Sequence, residues 1–155
     1  ADGRIGKKMI HTGDTGTQWG ISKEELMERI SESAKATADH FGDHIAYINV
    51  LRNMSVSCDC EGTAAQPVVT PNIGILASTD ILAADQASVD LVYALPEKYR
   101  HDLVERMETR HGLRQLSYMK ELGMGCDRYV ILDMDHGDTP ITLAEAVKNV
   151  KPFKA

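Results

Sequence analysis

The chain has 155 residues, 43% hydrophobic and 26% charged, with a net charge of −6. That length and apolar content suffice for one folded domain with a genuine core, and they argue against wholesale disorder. The acidic balance, with no Lys/Arg cluster interleaved with aromatics, argues against a nucleic-acid binder.

No run approaches the roughly 18 apolar residues that span a bilayer. The opening ADGRIGKKMIHTGD lacks the apolar core of a signal peptide. Three cysteines do not suggest a secreted disulfide framework, so the cytoplasm is the expected compartment. The polar, Gly-rich start without an initiator Met reads as an internal boundary. The expected organisation is therefore a single domain over 1–155, a fragment of a larger protein, with an irregular lead-in over 1–20 and a weakly structured tail over 141–155.

In chain order, Ser22 with Glu25 three residues later forms a capping box, and Ile21 with Leu26 fits the hydrophobic staple around it. Leu26, Met27, Ile30, Ala34, Ala38 and Phe41 recur at helical spacing, which predicts a helix from about Lys23 to Phe41. Gly42-Asp43 ends it, and IAYINVL (45–51) reads as a buried strand. A loop with Cys58, Cys60, Gly62 and Pro67 follows, then a second strand from Ile73 to Ala77.

Thr79-Asp80 supplies a helix N-cap, and residues 81–94 are apolar on nearly every face, which predicts a central helix. A more polar helix follows Pro96 over about 97–110, with Leu103, Val104 and Met107 as its inner stripe. Another short helix covers 113–122 and ends at Gly123, and YVILD (129–133) is a third strand. The tail carries a weak helical pattern in Leu143, Ala146 and Val147. The expected class is α/β or α+β, with a small three- to four-stranded sheet covered by helices.

Four features suggest chemistry. Asp14-Thr15-Gly16 copies the Asp-Thr-Gly of aspartic proteases, but no apolar strand runs into it, so a turn is the better reading. YVILDMD (129–135) resembles the strand-then-Asp-x-Asp start of haloacid-dehalogenase-like phosphatases. Gly137 stands where Thr or Val is needed, which favours a strand ending in a solvated acidic turn. The Gly13, Gly16 and Gly20 loop enters a helix N-terminus but satisfies no phosphate-loop spacing.

Cys58-Asp59-Cys60 is the most pointed of the four. Two thiols two residues apart lie on one side of an extended chain and can face one metal or each other. Thiolates select zinc, copper(I) or an iron–sulfur cluster over hard cations. A closed site needs four ligands, and Cys126 is the remaining thiol, beside six histidines and many carboxylates. Asp80, Asp85 and Asp90 lie in or beside the apolar helix. Five-residue steps rotate them about 140° apart, so they share no face. Asp80 is explained as a cap, whereas an inward Asp85 would need a partner, and Asp85 and Asp90 together would border a polar seam.

Four separated segments carry a family resemblance: YINVLRNMSVSCDCEG (47–62), PNIGILASTD (71–80), AADQASVDLVY (83–93) and RHGLRQLSYMKELGMGCDRYVIL (110–132). In order and spacing they resemble the C-terminal portion of the family called domain of unknown function 362. The resemblance implies an iron–sulfur-binding protein, because members often carry a ferredoxin-like segment with C-x-x-C-x-x-C spacing. It assigns no reaction. This chain has no C-x-x-C, so a cluster of that kind would lie in a part of the protein absent here, and the rest of the parent protein is the expected partner. Glu61 stands where members often have another thiol, and Ile81 where they often have Pro.

Three functional expectations follow. The first is an accessory or metal-binding role through Cys58, Asp59 and Cys60, holding a thiolate-bound metal such as zinc or an iron–sulfur cluster. The second is a small-molecule-binding or enzymatic domain with a pocket at the ends of strands 45–51 and 73–77, lined by Asn53, Asp80 and Asp85. The third is a structural domain packing on a missing N-terminal half.

Overall fold

The computed structural model describes residues 21–57 and 66–153. Ser22 is extended and its Oγ accepts the Glu25 N–H at 3.1 Å, so helix α1 starts at Lys23 and runs to Phe41. Gly42 ends it at φ 54°, a left-handed conformation that favours glycine. Strands β1 (Tyr47–Leu51) and β2 (Gly74–Ser78) pair antiparallel, with Tyr47 opposite Ser78 and Leu51 opposite Gly74.

Helix α2 (Ile81–Ala94) follows directly, then α3 (Glu97–Thr109) and α4 (Leu113–Glu121). A second ladder pairs β3 (Ile131–Asp133) with β4 (Thr139–Ile141), antiparallel across a 3-10 turn at Met134–His136. The chain closes with α5 (Leu143–Val147).

The mixed α/β class is as expected, and so is the placement of the helices and of the first three strands. The strands, however, form two separate two-stranded ladders among the described residues, not one sheet. β4 carries no periodic signal because it is three residues long and contains Pro140. Proline is tolerated there because a two-stranded ladder has a free edge on each strand. The tail is firmer than expected. Thr142 and Glu145 form a reciprocal capping box, and α5 packs against α2.

α2 is the centre of the packing. Leu82, Ala84, Ala87, Leu91 and Val92 are buried, and β1, β2, α3, α4 and α5 all pack against it. Small side chains at Ala84 and Ala87 let the neighbours approach closely while Leu82 and Leu91 fill the space between them. Two polar links fasten α2 in place. Asn49 Nδ2, on β1, donates to Asp85 Oδ1 at 2.8 Å and to Ser88 Oγ at 2.9 Å. Asp80 Oδ1 accepts from the Ala83 N–H at 2.9 Å, while its Oδ2 accepts from the Cys126 N–H at 2.8 Å.

α1 packs against α4, and several polar groups link the two helices. Arg114 bridges Glu28 at 2.5 Å and Glu121 at 2.6 Å, and Tyr118 donates to Glu32 at 2.9 Å. The fully buried residue of α1 is Ser31, whose small side chain allows close helix approach and donates to Met27 O. Ile30 and Phe41, part of the apolar stripe read from sequence, are exposed.

The Asp80 contact explains a glycine. Gly125 has φ 156°, and a Cβ there would stand 2.0 Å from Asp80 Oδ1. Asp80→Ala is expected to cost about 1–3 kcal/mol in denaturant unfolding, because it removes a cap and orphans a second N–H. Gly125→Ala is expected to destabilise as well. In the double variant the loss should fall short of the sum of the two single losses, since the clash disappears with the carboxylate.

Candidate functional site

The residues proposed to line a pocket do not converge. Antiparallel pairing places the C-terminal ends of β1 and β2 at opposite ends of the ladder, about 13 Å apart for four residues of strand. Asn53 lies past the Leu51 end, in the left-handed region at φ 52°, and its N–H donates to Asn72 Oδ1 at 2.7 Å. Asp80 lies past the Ser78 end and is occupied by two backbone N–H groups. Asp85 turns inward, and its partner is Asn49. Asn53, Asp80 and Asp85 thus each have hydrogen-bond partners of their own.

Cys58, Asp59 and Cys60 lie outside the described residues, as do Asp14-Thr15-Gly16 and the Gly13, Gly16 and Gly20 loop. The described ends that flank the thiols are close together. The Ile73 N–H donates to Leu51 O at 2.9 Å, and the Gln66 N–H donates to Ser57 Oγ at 2.8 Å. Cys126 is exposed and free, and it sits by Asp80 at the other end of the ladder. Among the described residues no group of three or more His, Cys, Asp or Glu side chains is arranged to hold a metal ion. At the end of β3, Asp133 Oδ1 accepts from the Asp135 N–H at 3.1 Å and its Oδ2 meets His136 Nδ1 at 2.8 Å. That arrangement is a capped acidic turn.

A concavity of about 640 Å³ lies between α2 and α4. From α2 it takes Gln86, Val89, Asp90 and Tyr93, and from α4 Leu113, Leu116, Ser117 and Lys120. Both sets follow the i, i+3, i+4, i+7 spacing of one helix face. Asp90 accepts from Gln86 Nε2 at 2.9 Å and from the Tyr129 hydroxyl at 2.5 Å. The Tyr93 hydroxyl donates to Glu108 at 2.8 Å, and Lys120 pairs with Asp127 at 2.6 Å. The polar seam read at Asp90 thus lies on this groove, whereas Asp85 belongs to the β1 contact. Tyr93, Glu108 and Tyr129 were not legible as a group, because three chain segments bring them together. The signal available was the polar stripe Gln86, Asp90 and Tyr93 on an otherwise apolar helix.

Burial pushes the Tyr129 phenol well above the ordinary tyrosine range, and the Asp90 carboxylate it donates to pushes it further. Tyr93 is raised for the same reasons, with Glu108 as its partner. A phenol whose folded pKa is raised contributes stability that is fully present below the unfolded tyrosine pKa of about 10 and is lost as pH rises through the folded value. Spectrophotometric alkaline titration should therefore show late-ionising tyrosines. Tyr129→Phe should remove part of that late phase and flatten the loss of stability above pH about 10.

A family model described as Domain of unknown function (DUF362) matches residues 1–90. The match includes the segments 47–62 and 71–80, whereas 110–132 lies beyond it. No curated protein matches, and no solved structure matches.

Proposed function

Because the chain belongs to the Domain of unknown function (DUF362) family, whose description carries no activity, we propose its role from its surfaces: it is an assembly module that completes a larger sheet. The outer face of the β1–β2 ladder carries this reading. α2 covers one face, through Asn49 among others. On the other face Ile48, Val50 and Ile75 are 66%, 55% and 69% exposed. Val50 stands opposite Ile75, and Ile48 opposite Ala77, so the outward side chains form one continuous apolar surface.

Strands apolar on both faces belong to sheets covered on both sides. A lone two-stranded ladder is marginal in water, and its free edges are templates for a further strand. The occupant that fits is a polypeptide unit that adds a strand along a free edge and lays apolar side chains over Ile48, Val50 and Ile75. Among the described residues no helix is long and apolar enough to cross a membrane.

Site-specific photocrosslinking in living cells tests this. A crosslinker at Ile48 or Ile75 should give one dominant adduct to a polypeptide partner, whereas a control at exposed Arg52 should give little. Equal, diffuse labelling at all three positions would remove the basis for an assembly role.

A second reading rests on the closed neck of the thiol segment. The hydrogen bond from Gln66 N–H to Ser57 Oγ joins the ends of the stretch that holds Cys58, Asp59 and Cys60. A loop closed at its base loses less entropy when its two thiolates bind one ion. Three cysteines cannot supply the four thiolates of an all-cysteine cluster, so an iron–sulfur centre held by this chain alone does not fit. Two thiolates completed by carboxylate or imidazole ligands fit zinc. Elemental analysis of anaerobically prepared protein should find stoichiometric metal, and Cys58→Ser/Cys60→Ser should lose it. Metal-free protein with freely titrating thiols would end this reading.

A further inference from the structure

The β3–β4 ladder carries an exposed apolar strip that the assembly role at β1–β2 does not use. Val130, Leu132 and Met134 alternate along β3 and its flanks and are exposed, whereas Tyr129, Ile131 and Asp133 between them are half-buried. Tyr129 reaches α2 at Asp90, and β1 reaches it at Asp85. Those two positions are about 140° apart around the helix, so the two ladders meet different sides of α2.

A proline decides which edge of this ladder can be extended. Pairs in an antiparallel ladder alternate between those that exchange both N–H···O bonds and those that exchange none. Pro140 has no N–H, so Leu132–Pro140 is a pair of the second kind, and the bonds lie at Ile131–Ile141 and Asp133–Thr139. The Leu132 N–H and C=O therefore point away from β4, toward the free edge of β3. On β4 the same geometry puts the proline nitrogen, which has no hydrogen, at the free edge, and that discourages an added strand there. The open edge is β3, whose main neighbour among the described elements is β4.

The two ends of that edge carry opposite charge. Arg128 precedes it, exposed, and its guanidinium makes no ion pair among the described residues. Asp127 beside it is held by Lys120 at 2.6 Å, with Arg128 adding a smaller pull on the same carboxylate. Asp135 and Asp138 follow the edge, exposed, in the turn to β4, where His136 is engaged by Asp133 at 2.8 Å. An edge with a cation at one end and carboxylates at the other is complementary to itself in antiparallel pairing. A twofold axis at Leu132 sets Leu132 opposite its twin, with two N–H···O bonds between them, and Val130 opposite Met134 of the second copy. Asp133 then faces Ile131, so no like charges oppose each other along the strand. Arg128 stands at the level of the acidic turn of the second copy, and symmetry makes that contact twice. We infer that this chain pairs with a second copy of itself through the free edge of β3, joining two β3–β4 ladders into one four-stranded sheet.

Sedimentation velocity of the full chain over a range of concentrations tests the pairing, with hydrogen exchange at the Leu132 amide as the local readout. A monomer–dimer equilibrium should appear, and the Leu132 amide should become protected as the dimer forms. Arg128→Asp and Asp135→Arg each set like charges together at both symmetric contacts. Each should weaken the dimer about fivefold, the scale of two exposed charge pairs, with helical circular dichroism unchanged. An equimolar mixture of the two variants should restore it, because the mixed dimer brings opposite charges together at both contacts. Ile48→Asp, on the other ladder, should leave the dimer intact, which separates this result from the assembly role. A chain that stays monomeric up to its solubility limit would overturn the pairing. So would a dimer that ignores both charge reversals, one that the mixture does not restore, or one that is lost in Ile48→Asp.

Discussion

One carboxylate holds three parts of this fold in register. Asp80 ends the connection from β2, caps the first turn of α2 through Ala83, and grips the backbone at Cys126 beyond α4. A helix buried on most of its surface has little polar side-chain support, so its free N–H groups must be satisfied locally. Asp80 does this, and its second oxygen reaches a segment 46 residues away. Gly125 lets that segment approach, because a side chain there would collide with the carboxylate. With α2 anchored in this way, the ladder, α3, α4 and α5 can all pack on it.

The surfaces around α2 differ in kind. Toward β1 the contact is a satisfied polar link, Asn49 to Asp85 and Ser88, which sets the rotation of the helix against the strand. Toward α4 the contact opens into a groove lined by Val89, Leu113 and Leu116 and by the Lys120–Asp127 ion pair. On the far side of the ladder nothing described covers Ile48, Val50 and Ile75. A protein of this size can leave single apolar residues in water at little cost, but a continuous strand face is a different case. The same holds in part for α1, which meets α4 through Arg114 and its glutamates while Ile30 and Phe41 stay exposed.

The functional readings follow from this distribution. Family membership carries no chemistry, and Asn53, Asp80 and Asp85, expected to line a pocket at the strand ends, each take part in a hydrogen bond of their own. What is left is an exposed apolar sheet face, a hydrogen bond from Gln66 N–H to Ser57 Oγ flanking the thiol segment, and an interhelical groove. Each is addressed by a different probe, so evidence for one does not decide the others.

The sequence by itself determined the local elements. The Ser22 cap, the glycine after Phe41, the all-apolar run at 81–94 and the β-branched runs at 45–51 and 73–77 each act within a few residues. Capping and periodicity are short-range effects, so they can be read without knowing the fold. The central position of α2 was legible for the same reason, because a helix apolar on all sides must be surrounded. Strand direction, the split into two ladders, and the meeting of Tyr129 with Asp90 and of Tyr93 with Glu108 were decided only by the tertiary structure. These contacts join residues as many as 39 positions apart, and pairing at such range depends on how whole elements pack, which no local pattern encodes.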